Sequence, residues 1–60
     1  MNRNRYFCVR FNTLKDECIY LEYTVYHYNK DIAVEIARDI ISTSLDIHRD
    51  RLCLISVTEE

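Results

Sequence analysis

The chain of 60 residues contains no glycine, no proline and no tryptophan. Without glycine it has no phosphate-cradling loop of the glycine-rich kind, and without either backbone punctuator it has no linker of ordinary composition. It therefore reads as a single ββαβ domain over residues 1–60, with no internal repeat. No apolar run approaches the roughly 20 residues that cross a bilayer, so no membrane partner is expected. Three cysteines, Cys8, Cys18 and Cys53, cannot all pair within one chain, and no secretory signal is expected. They are expected to be reduced thiols in a cytoplasmic protein, the host cytoplasm if the protein comes from a phage. Eight basic and ten acidic side chains leave a net charge of -2, too small for strong steering in either direction.

What is present is periodicity. From Arg5 to Asn12, Phe7, Val9 and Phe11 alternate with Tyr6, Cys8 and Arg10, the period of two that marks a half-buried strand. Thr13 to Asp16 form a polar break of hairpin-loop length, interrupted only by Leu14. Cys18 to Tyr28 resumes the alternation, with Ile19, Leu21, Tyr23 and Val25 on one side and Tyr20, Glu22, Thr24, Tyr26 and Tyr28 on the other.

The segment from Asn29 to His48 changes period. Ile32, Ala33, Ile36, Ala37, Ile40, Ile41 and Leu45 recur at three- and four-residue spacing, which gathers them into one stripe of a helix, opposite Asp31, Glu35, Arg38, Asp39 and Ser42. Asn29 is placed to cap the first turn, with Asp31 favourable against the helix dipole. With no glycine to close it, the helix is expected to end between Ser44 and His48, with His48 or Arg49 meeting the last carbonyls. Arg51 to Thr58 reads as a third strand in which Cys53, Ile55 and Val57 alternate with Leu52, Leu54 and Ser56. Both sets are partly apolar, so its inward register stays open.

These elements predict an α+β fold: a three-stranded antiparallel sheet with one helix packed on one face. Strand order 2-1-3 makes every pairing antiparallel, whereas 1-2-3 would end in a parallel pair. A chain of this length buries only about 60% of the surface its unfolded form exposes, so its core is marginal, and a homodimer is expected as a supplement.

One helix covers one face of the sheet. The other is expected to carry Tyr6, Cys8, Arg10, Tyr20, Glu22, Thr24, Tyr26 and Tyr28, joined in one register by Leu52 and Leu54. Tyrosine is a good residue for any exposed strand, and that is the plain explanation. It also offers large contact area at low entropic cost. Tyr6, Arg10, Tyr20, Glu22, Tyr26 and Tyr28 are accordingly the candidate partner-binding residues, together with the exposed side of the helix.

The chemistry is thin by comparison. Cys8, Cys18, Cys53, His27 and His48 include zinc-ligand types, but no two cysteines have the short spacing of a zinc knuckle; Cys8 and Cys53 become neighbours only if strands one and three pair suitably. No nucleophile, base and orienting carboxylate are brought together by the sequence. No catalytic role and no cofactor are expected. Arg3, Arg5 and Arg10 near Tyr6 and Phe7 support a second reading, nucleic-acid binding, against which stand the acidic majority and the acidic helix face.

In layout over residues 5–58, the strand, strand, helix, strand order resembles small accessory proteins of bacteriophages, among them an inhibitor of bacterial RNA polymerase and several anti-CRISPR proteins. The resemblance implies a non-enzymatic protein that occupies a surface of a larger protein partner, a modulator or inhibitor. No motif is shared, so it assigns no residue a role.

Overall fold

A computed structural model describes residues 3–13 and 20–60. The hairpin loop after Thr13, and Cys18 and Ile19 of the predicted second strand, lie outside the described residues. Strands β1 (Arg5–Thr13), β2 (Tyr20–His27) and β3 (Leu52–Glu59) form one sheet in the order β2-β1-β3, with both pairings antiparallel. The helix α1 (Lys30–Leu45) packs on one face of that sheet. The fold is therefore α+β with a β-β-α-β layout, in the order that keeps every strand pair antiparallel.

The core follows the alternation of β1. Phe7, Val9 and Phe11 are at most 1% exposed and meet Val25 of β2 and Leu52 of β3 beneath Ala33, Ala37 and Ile41 of the helix. Two alanines without solvent contact bring the helix backbone close to the sheet, as their small side chains permit. Thr13, expected to open the loop, is instead the last residue of β1, because Leu52 pairs with it.

The helix start follows the sequence. Asn29 Oδ1 accepts from the Asp31 and Ile32 N–H groups at 2.9 and 3.2 Å, and Asp31 lies in the first turn. Its end is closed by Asp46, which takes the left-handed conformation (φ 53°) that glycine usually supplies. The Ile47 N–H then returns to the Ser42 carbonyl at 3.0 Å, and Ile47 packs against the core. His48 and Arg49 do not meet the last helix carbonyls. They begin a short 3-10 turn, η1 (Arg49–Arg51), which His48 caps by accepting the Asp50 N–H on Nδ1 at 3.3 Å.

The buried stripe is narrower than the apolar one. Ile32 stays 41% exposed because it lies about 140° around the helix from Ala37, and Leu45, in the last turn, is 51% exposed. Arg38, expected on the solvated side, is only partly exposed. Its guanidinium carbon sits 5.2 Å from the Phe11 ring centroid, and Nη1 donates to the Leu52 carbonyl at 2.9 Å. A long aliphatic stem allows this charged residue to close the core at the β3 side while its head ties the helix to the incoming strand.

The ambiguous register of β3 has a structural cause. A bulge falls between the partners of Arg10 and Phe11: Ser56 pairs with Arg10 and Leu54 with Phe11, leaving Ile55 as the extra residue. Leu52 therefore shares the helix face with Val57, although an uninterrupted strand would place them on opposite faces. Neither alternation holds for the whole strand.

Candidate functional site, the open face of the sheet

Directly opposed residues of an antiparallel pair point to the same side, so the register gives the composition of the face opposite the helix. Tyr6, Cys8, Arg10 and Asn12 of β1 are opposed by Tyr26, Thr24, Glu22 and Tyr20 of β2. On the other flank, Thr58, Ser56 and Cys53 of β3 oppose Cys8, Arg10 and Asn12. Five of the six predicted contact residues, Tyr6, Arg10, Tyr20, Glu22 and Tyr26, thus share this face.

Tyr28 leaves the row. β2 ends at His27, and the Tyr28 ring stacks on the His27 ring with centroids 4.6 Å apart. Its carbonyl accepts from Arg5, and the Asn29 N–H donates to His27 Nδ1. The chain is already turning into the helix there, which breaks the strand period. Leu52 and Leu54 belong to the helix side, as the bulge dictates.

Tyr6, Tyr20 and Tyr26 are each more than half exposed. Tyr6 and Tyr26 meet across β1 and β2 with ring centroids 4.7 Å apart and planes tilted by 43°, a favourable aromatic geometry. Arg10 spans all three strands: Nε lies 3.2 Å from the Glu22 carboxylate on β2, and Nη1 donates to Thr58 Oγ1 on β3 at 2.7 Å. The Tyr20 hydroxyl donates to the same Glu22 carboxylate at 3.1 Å. Arg10, Glu22, Tyr20 and Thr58 are therefore held by one another before anything binds.

At the centre Cys8 is 4% exposed. Burial pushes its thiol above the ordinary value, the Arg10 guanidinium opposes that shift, and the Glu22 and Glu60 carboxylates reinforce it. A thiol kept protonated is a poor nucleophile and a poor metal ligand. Cys53 is opposed to Asn12, four residues along β1 from Cys8, so the two sulfurs are on the order of 13 Å apart along the strand direction and are not neighbours. Both are free thiols. Among the described residues, no group of three His, Cys, Asp or Glu side chains is placed to hold a metal ion.

The arginines of the second reading are separated. Arg5 opposes His27 on the helix side, where it pairs with Glu59 at 3.1 Å and lies over Phe7. Arg10 is on the open side, already engaged by Glu22, and Phe7 is buried. On the acidic helix surface Glu35 and Asp39 are likewise occupied, since Arg49 of the 3-10 turn reaches both. What the sequence did not signal is this bracing by η1, because Arg49 lies ten residues from Asp39 with a helix end between them.

Comparison of the chain with protein-family models, curated proteins and solved structures finds no match.

Proposed function

We propose that this chain is a non-enzymatic binding domain that meets a protein partner through the open face of its sheet. The observation that supports this best is the pairing of three exposed tyrosines with a polar network, Tyr20, Glu22, Arg10 and Thr58, already fixed in place. Rigid aromatic area loses little entropy on contact, and side chains held in advance need little further ordering. The helix surface fits the role less well, since Glu35 and Asp39 are occupied by Arg49. The layout resemblance to phage accessory proteins agrees with a chain that modulates or inhibits a larger host protein by covering part of it.

Affinity capture from a lysate of the source organism tests the reading, with the wild type beside a Tyr20→Ala/Tyr26→Ala variant and an Arg3→Gln/Arg5→Gln variant. The expected result is a protein captured by the wild type and by the arginine variant and lost with the tyrosine variant. Capture that survives the tyrosine substitutions would reject it. Capture of nucleic acid that fails with the arginine variant would favour the second reading.

A further inference from the structure

With order β2-β1-β3, β3 is an edge strand, and beyond Leu52, whose N–H and C=O are taken by the Arg49 carbonyl and the Arg38 guanidinium, one row of its backbone N–H and C=O groups faces outward. The Glu60 N–H donates inward to the Tyr6 carbonyl, which turns the N–H groups of Glu59 and Val57 toward the free side of the strand. The helix lies mainly over β2 and β1, so β3 is the less covered strand. At its midpoint Leu54 and Ile55 are 41% and 50% exposed, two successive apolar side chains beside an unpaired backbone.

The two ends of β3 carry opposite charge. Arg51 precedes it, exposed, and its guanidinium makes no hydrogen bond or ion pair among the described residues; Glu59 and Glu60 close it, and the Glu60 carboxylate has no ion-pair partner among them. A second copy of β3 running antiparallel about the strand midpoint would set Arg51 of each copy level with Glu59 and Glu60 of the other. A parallel arrangement would oppose like charges at both ends. Only the antiparallel one satisfies charge, apolar exposure and the free backbone together.

We propose that two copies of this chain pair antiparallel through the free edges of β3, joining two three-stranded sheets into one of six strands. The proposal is independent of what the tyrosine face binds. Because the bulge twists the edge at Ile55, and strand pairing alone covers less than the roughly 800 Å² per partner of a standard interface, the dimer is weak and salt-sensitive.

Sedimentation from about 10 μM to about 1 mM protein, in about 0.05 M and about 1 M salt, tests it. The expected result is a dimer at the upper concentrations in low salt that dissociates in high salt. Ile55→Lys should leave a monomer throughout, with a helix and sheet circular-dichroism signal unchanged. Arg51→Glu should weaken dimerisation about tenfold, and adding Glu60→Arg to it should restore the affinity. A monomer at about 1 mM in low salt, or a dimer indifferent to Ile55→Lys, would overturn the proposal. So would a dimer lost in Tyr20→Ala/Tyr26→Ala, which would move the contact to the open face.

Discussion

Tyr6 and Tyr26 face each other across β1 and β2, ring centroids 4.7 Å apart, on the side of the sheet that the helix does not cover. Both rings remain more than half exposed. Their mutual contact should add about 0.5–1 kcal/mol to stability, measured as the coupling in a double-mutant cycle of Tyr6→Ala and Tyr26→Ala by urea unfolding. Zero coupling would mean that the rings do not pack in solution.

Arg38 should matter more than a surface charge. It covers Phe11 and donates to the Leu52 carbonyl, which otherwise loses that partner. Arg38→Ala is expected to cost about 1–3 kcal/mol and Arg38→Met less, since Met keeps the aliphatic cover. Equal losses would assign the effect to the hydrogen bond alone.

The Cys8 thiol has a higher pKa in the folded chain than the ordinary 9.0, chiefly through burial. The folded form then holds its proton more tightly than the unfolded one, so the contribution is full below the unfolded value and is lost as pH rises through the folded one. Stability of the wild type should therefore fall more steeply above about pH 9 than that of Cys8→Ala. In thiol labelling at neutral pH, exposed Cys53 should react well before Cys8.

Asp46 closes the helix at φ 53°, a conformation that costs a residue with a Cβ more than glycine. Asp46→Gly is expected to raise stability by up to about 1 kcal/mol and to raise the melting temperature. Asn29→Ala, which removes the acceptor for two N–H groups at the other end, should lower it by about 1 kcal/mol.

Where one residue type could satisfy both local and tertiary demands, the sequence was readable. Phe7, Val9 and Phe11 alternate in the chain and line the core; Asn29 precedes an apolar periodic run and caps it. The strand order followed from antiparallel pairing alone. Legibility failed where a single backbone event changed the period. The bulge at Ile55 switches which residues of β3 face the helix, and nothing in a run of Leu, Cys, Leu, Ile, Ser and Val marks the position. The turn after His27 removes Tyr28 from the tyrosine row by the same kind of break. Arg38 was misplaced for a different reason: its charge says surface, while its length lets the stem pack over Phe11. On the open face the strand alternation located Tyr6, Arg10, Tyr20, Glu22 and Tyr26, but the Arg10 link to Thr58, 48 residues away, depends on a register that only the fold supplies.

Tyrosine footprinting in the captured complex tests the central claim most directly, with nitration of each ring read by mass spectrometry in the free and bound states. The open-face reading predicts that Tyr6, Tyr20 and Tyr26 lose reactivity on binding while Tyr23 and Tyr28, which lie off that face, keep theirs. Unchanged reactivity at Tyr6, Tyr20 and Tyr26 in a stable complex would contradict it.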